Sequence, residues 1–262
     1  MTFLKACGLL LALFAGAASA QESTMKELAP TGRLRVALVF APSMSVFFVV
    51  KDEGGKPRGV TADLADALGK KLNVPVEYVL FPNSGLATDA TEAGSVDVSF
   101  MPVDEERKKR IAFGPAYVLA ESTYMVTAAT GAKTVEDVDK AGMRVIGIAN
   151  TTTIRAAGRT LKNTTISAVP SVEEAVTMLR DGKADAFALS RDSLPTYLKQ
   201  VPGSRMTDGA FQQIGIAIAV AKSKPDALAA VTEFMSEAKK NGTVRRALDK
   251  AGFEDPVAPL TP

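Results

Sequence analysis

Gly94-Ser95-Val96-Asp97-Val98-Ser99-Phe100-Met101 and Gly182-Lys183-Ala184-Asp185-Ala186-Phe187-Ala188-Leu189 state one pattern twice: a glycine turn, an aspartate, then a short apolar run. A run that is apolar at nearly every position reads as a parallel strand buried on both faces, since a half-exposed strand alternates. Upstream of the first copy, Leu34 to Phe40 and Val76 to Phe81 read as strands, with the turn residues Asp52 to Pro57 between them. Val60, Leu64, Ala67, Leu68 and Leu72 share one helix face, and Gly85 to Ala93 reads as a weaker helix ended by Gly94. Upstream of the second copy the order recurs. Met143 to Ile148 and Thr165 to Val169 read as strands, and Thr152 to Leu161 as a helix. Ser171-Val172-Glu173-Glu174 reads as a capping box that opens another helix, with Val172, Ala175, Val176 and Leu179 inward.

Two copies of strand–helix–strand–helix–Gly-x-x-Asp–strand predict an α/β chain of two lobes, each a mostly parallel sheet flanked by helices. Right-handed crossovers place each lobe's loops at the carboxyl ends of its strands, the edge where ligands bind, so two facing lobes enclose a cleft. Ile214 to Val220 reads as a further strand, followed by a helix capped by Ser223 with Pro225 near its start, and by a last helix from Thr243 to Ala251. The chain is expected to divide into a lead-in (21–31), the first part of lobe 1 (32–121), lobe 2 (122–213) and the completion of lobe 1 with a tail (214–262). Two strands that cross between lobes make a hinge, and closure about it traps a ligand.

Residues 1–20 read as a cleavable export leader: Lys5 in a short charged start, an apolar run to Ala18, then small residues at Ala18-Ser19-Ala20. The run falls short of the roughly 20 residues a membrane span needs. The leader also holds Cys7, the chain's single cysteine, and His is absent. Thiol chemistry, disulfides, imidazole-based metal sites and His-dependent triads are therefore excluded from the mature chain, and no cofactor is expected. Lys+Arg number 31 against 29 Asp+Glu, without the basic excess of a nucleic-acid binder. A soluble periplasmic monomer follows as the expectation.

Several segments carry a specific resemblance. Gly32-Arg33-Leu34-Arg35-Val36-Ala37, then Gly55-Lys56-Pro57-Arg58-Gly59 with Asp63-Leu64, Gly94 to Asp97, Glu106-Arg107-Lys108-Lys109 with Phe113 and Tyr117, Gly182 to Ala186, and Lys239 to Gly242 occur in order along the chain. Together they resemble the polar amino-acid binding proteins of ABC transporters, bacterial extracellular solute-binding protein family 3. The resemblance implies a two-lobed type II periplasmic-binding-protein fold, no catalysis, a small carboxylate-bearing solute and a membrane permease as partner. It assigns Arg107 to the solute's carboxylate, which suits a planar and permanently charged guanidinium. It assigns a second carboxylate contact to Asn150-Thr151-Thr152-Thr153, where Thr152 and Thr153 open a helix. Phe47, Phe48 and Asn83 match positions that line the family's pocket.

Departures from the pattern bear on the solute. Thr151 stands where the family usually has glycine, and Pro102 replaces a hydroxyl residue and has no N–H to offer. Ser190, followed by Arg191, stands where the family's ammonium-binding Asp belongs, and Glu121 occupies a hinge position that is normally small. Either Glu121 or Asp192 has become the partner of a cation, or the solute has no ammonium and Arg107 and Arg191 clasp an anion. An enzymatic alternative is a periplasmic dehydratase of the same fold, with Glu121 as acid or base.

Overall fold

Leu34–Phe40 (β1) is the centre of the first lobe: its residues are almost all buried, as its unbroken apolar run requires. The computed structural model describes residues 22–259, so the leader lies outside the described residues. Parallel to β1 run Phe48–Lys51 (β2), Val76–Phe81 (β4) and Val98–Pro102 (β5), while Pro57–Arg58 (β3) edges β2. A helix over residues 22–28 (α1) leads in, Val60–Leu72 (α2) follows β3, and Ser84–Glu92 (α3) lies between β4 and β5. A single turn, Glu105–Lys108 (α4), separates β5 from the long strand Ile111–Val126 (β6).

The second lobe repeats the plan. Val145–Ile148 (β7) lies between Ile166–Val169 (β8) and Ala186–Ser190 (β9), parallel to both. Thr152–Thr160 (α5) and Val172–Arg180 (α6) are its crossovers, followed by the short Leu194–Leu198 (α7) and Arg205–Met206 (β10). Gln212–Ala221 (β11) then returns to pair with β5 and β6, and Pro225–Lys240 (α8) and Thr243–Ala251 (α9) pack on the first lobe. The strand order is β3-β2-β1-β5-β11-β6-β9-β7-β8, with β4 on β1 and β10 on β6. β6 pairs with β11 from Ile111 to Ser122 and with β9 from Ser122 to Val126, so one strand belongs to both lobes.

The repeated Gly-x-x-Asp has a structural task. Asp97 accepts from the backbone N–H and the Nε of Arg35, and its other oxygen takes Nη2 at 2.7 Å; Arg35 also reaches the Ser95 and Gly94 carbonyls. Asp185 does the same for Arg144, which also reaches the Gly182 carbonyl. In both lobes the aspartate before one strand ties down the arginine at the start of its neighbour. The Asp97 side chain is fully buried and additionally faces Lys224, whereas the Arg144 side chain is about half exposed at 53 %.

Two local expectations change. The helix after β11 starts at Pro225 with Lys224 as N-cap, not Ser223. One of its first amides is served from a distance: Glu27 of α1 accepts from the Ala227 N–H at 2.8 Å, and Lys224 Nζ donates to the Glu27 carbonyl. Ser171 accepts from the Glu174 N–H, the forward half of a capping box.

Breaking a buried ion pair by removing one partner costs about 3 kcal/mol or more, and an exposed pair contributes far less. Urea denaturation of Asp97→Asn is therefore expected to show a loss of that order, and Asp185→Asn a distinctly smaller one. Equal losses would remove the distinction drawn from burial.

Candidate functional site

The carboxyl ends of β1, β5, β7 and β9 face a common, narrow cavity of about 30 Å³ between the two lobes. Its first wall comes from the β1–β2 turn. There the Ser45 hydroxyl accepts from the Phe47 and Phe48 amides at 3.1 and 2.8 Å, a local bond that serines make readily. The turn presents both rings, tilted together at 4.2 Å between centroids. Val39, Ala41, Pro82 and Pro102 continue this wall, and Ile148, Val172, Ala188 and Leu189 face it from lobe 2.

Polar groups enter the cavity at helix starts. Asn83 caps α3 by accepting from the Leu86 N–H, and Thr151 caps α5 by accepting from the Ile154 N–H. The first amides of a helix have no acceptor within it. With those two caps in place, the amides of Ser84, Thr152 and Thr153 are left for an acceptor in the cleft. The axis dipoles of α3 and α5 add partial positive charge at the same place. α6, which begins at Val172, adds a third helix start to the lining.

Asn150 takes the left-handed conformation (φ 59°) that a chain reversing from β7 into α5 needs, and asparagine tolerates it. The turn is therefore complete with Thr151 at φ −95°, in ordinary extended space, and glycine is not required there.

Arg107 stands one residue behind the cavity. Asp104 caps α4 and accepts from the Arg107 N–H; the guanidinium is only 3 % exposed and donates to the Pro102 carbonyl at 3.0 Å and to Ser84 Oγ at 2.6 Å. Pro102 thus contributes a carbonyl where it has no N–H. A longer contact of 3.5 Å runs to the Asn150 carbonyl in lobe 2. Among the described residues no carboxylate forms an ion pair with Arg107, because Asp104 turns its other oxygen to Arg155. Burial pushes the guanidinium down to about 9, against the pull of Asp104. A buried cation without a partner is unfavourable until an anion approaches it.

The lobes meet on two seams beside the cavity. On one, Asp104 of lobe 1 holds Arg155 of α5, and Gly85 meets Asn150 so closely that a Cβ at position 85 would lie 2.5 Å from the Asn150 Cβ. On the other, Asp192 Oδ2 accepts from the Val46 N–H at 2.6 Å, the Tyr197 hydroxyl accepts from the Ser43 N–H, and Ser43 donates to Thr196.

Of the residues singled out from sequence, Phe47, Phe48, Asn83, Pro102, Thr152, Thr153 and Ser190 line the cavity, and Arg107 and Asn150 adjoin it. Glu121 and Arg191 do not come to it. They bind each other at 3.0 Å, the Arg191 backbone also pairs with that of Glu121, and both line a separate hollow beside Phe253. The reason is strand geometry: alternate residues of β6 point to opposite faces, so Glu121 faces away while its neighbour Ser122 reaches Thr153 Oγ1 at 3.4 Å. The expected clasp of Arg107 with Arg191 is not formed, and the carboxyl of Glu121 is not placed as an acid or base for anything in the cavity. Ser84, Gly85 and Arg155 are the residues that sequence reasoning missed. Asn83-Ser84-Gly85 was legible as a helix start of the same kind as Thr151-Thr152-Thr153.

Two α/β lobes joined by a shared strand pair and closed over a pocket at their strand ends are the architecture of a solute-binding protein. Residues 38–253 match the bacterial extracellular solute-binding proteins, family 3, and the chain belongs to that family. It is 26 % identical over 211 residues to a glutamine-binding protein of Geobacillus stearothermophilus, covering 78 % of each chain. It is 22 % identical over 216 residues to an ABC transporter glutamine-binding protein of Bacillus subtilis, covering 81 % of this chain and 79 % of that one. Among solved structures, a mutant of ArgBP from T. maritima superposes with a TM-score of 0.76 at 25 % identity, over 87 % of this chain and 99 % of that one. An ancestral amino acid-binding protein, a precursor of cyclohexadienyl dehydratase, superposes with a TM-score of 0.74 at 29 % identity, over 87 % and 98 %.

Two outcomes test this geometry. Gly85→Ala is expected to fold normally, since Ala is favoured over Gly in a helix by about 1 kcal/mol. It is expected to weaken solute binding about tenfold or more, because overpacking at a closed contact costs about 1–3 kcal/mol. Calorimetric titration beside an unfolding curve separates the two effects. The second outcome concerns Asp192, whose Oδ1 is buried with no hydrogen-bond partner among the described residues; burial raises this carboxyl to about 6, with Asp255 adding to the rise and the Val46 N–H and Ser190 opposing it. Its folded pKa lies above its unfolded one. The associated stability is thus present below the ordinary carboxylate range and is lost as pH rises through about 6. Stability measured at pH 4 and at pH 7 is expected to shift in favour of Asp192→Asn over the wild type as the pH rises. A constant difference would refute the assignment.

Proposed function

We propose that the chain is the solute-binding component of an ABC uptake system and acts as an exported monomer. It takes a small carboxylate-bearing solute into the cleft and delivers it to a permease in the inner membrane. Closure bends the two shared strands, β6 near Glu121 and Ser122 and β11 near Gln212 to Ile214, so the first lobe comprises 32–121 and 214–262 and the second 122–213. Residues 1–20 serve as the export leader.

The observation that carries the carboxylate is the convergence of positive potential. Ser84, Thr152 and Thr153 offer helix-start amides from both lobes, and Arg107 lies one hydrogen bond behind Ser84 with no carboxylate of its own. A carboxylate seated among those amides is attracted by the guanidinium and joins the lobes, so binding and closure are one event. The relatives' glutamine- and arginine-binding names support a small solute that bears a carboxylate. The dehydratase reading loses its acid, because Glu121 lies outside the cavity.

Thermal unfolding of the mature protein against a set of amino acids, organic acids and their primary amides tests the reading. A carboxylate at one hundred times its Kd is expected to add about 2.7 kcal/mol of stability. The matching amide should add none, and Arg107→Ala should weaken the carboxylate about tenfold or more, as loss of a charge-assisted contact does. Equal shifts from acid and amide, or full binding by the Arg107→Ala variant, would overturn the role given to the anion site.

A further inference from the structure

Resting on that carboxylate reading, we infer that the solute carries no ammonium group: the cleft is built for a carboxylic acid with an apolar body rather than for an amino acid. No Asp, Glu, Lys or Arg is among the described residues that line the cavity. An ammonium taken out of water needs a counter-charge, and without one its burial is strongly unfavourable. Neither Glu121 nor Asp192, the carboxylates closest along the chain to Ser122 and Ser190, is among the lining residues. Glu121 is paired with Arg191 in the hollow beside Phe253, and Asp192 is held by the Val46 amide on the seam between lobes.

The neutral polar side chains carry no counter-charge for an ammonium, and several already hold partners. Ser190 Oγ is bonded to Ser193 Oγ at 2.9 Å, Asn83 Oδ1 is occupied by the Leu86 amide, and the Thr151 hydroxyl donates to the Ile148 carbonyl while capping α5. The field points the same way. Helix starts of α3, α5 and α6 surround the cavity and Arg107 lies behind it, so a positive charge is repelled where a negative one is held.

The remaining lining is hydrocarbon. Phe47, Phe48, Ile148, Val172, Leu189 and Pro102 contribute most of it. Such a surface gains from covering an aliphatic or aromatic tail, at about 25 cal/mol per Å² removed from water. One charged end and one apolar end therefore describe the solute: a short-chain aliphatic or an aryl-substituted monocarboxylate.

Matched pairs that differ only in the amino group test this by calorimetric titration of the mature protein: isocaproate against leucine, hydrocinnamate against phenylalanine, isovalerate against valine. At least one amine-free acid is expected to bind ten times or more tighter than its amino acid partner. In Ser190→Asp, which places a carboxylate on the cavity wall, the order should reverse, the amino acid gaining tenfold or more while the amine-free acid weakens. Amino acids that bind as well as or better than their amine-free partners in the wild type would overturn the inference and leave the binding-protein reading intact. Failure of every acid and amino acid in the set, with glutamine and arginine included, would remove both.

Discussion

Strands β6 and β11 pair antiparallel from Ile111 and Ala221 at one end to Ser122 and Gln212 at the other, and both lobes hang from this ladder. Its first-lobe portion continues the sheet through β5, and beyond Ser122 the same β6 becomes the edge on which β9 builds the second lobe. The register shifts around Ile216 and Ala217 are irregularities of the kind that bend a strand and sharpen its twist. A ladder of this sort resists shear, because sliding by one residue would turn every side chain to the wrong face. Bending breaks no pairing. The ladder therefore permits the closure proposed for the cleft.

The consequences of closure are electrostatic as much as steric. Asp104 and Arg155 link the lobes by charge on one side, while Asp192 and the Val46 amide link them on the other. Between these seams the walls are apolar, and the available donors are backbone amides at helix starts with Arg107 behind them. Low polarity strengthens each of those interactions for a ligand of matching charge and penalises one of opposite sign. Specificity in such a site is set as much by the charge it lacks as by the donors it offers.

The two Gly-x-x-Asp segments show how one sequence device can be reused at different depths. Each aspartate locks the arginine at the head of the neighbouring strand and so fixes how the two strands start relative to each other. In the first lobe Asp97 is fully buried and Lys224 joins the pair; in the second Arg144 stays near solvent. Local sequence chose the pairing, and packing decided how much it contributes.

Periodicity alone placed β1, β4 and α9 at their observed limits and the other elements it predicted within a few residues, because apolar runs and capping residues act over one or two turns of chain; β2 and the full length of β6 were not among them. The fold class, the doubled unit and the cap at Ser171 were legible in this way, and the family resemblance supplied Phe47 and Phe48 as lining. What sequence could not decide is direction and distance. Glu121 and Ser122 are adjacent in the chain and lie on opposite faces of β6, so only the register with β9 and β11 sends the serine toward the cleft and the glutamate to Arg191. The cap that α8 receives from Glu27 spans 200 residues, and the near-contact of Gly85 with Asn150 joins two lobes. Short-range rules carry no information about such pairs. They are set by where a twisted, shared sheet brings distant segments together, and the charge balance of the cavity is set with them.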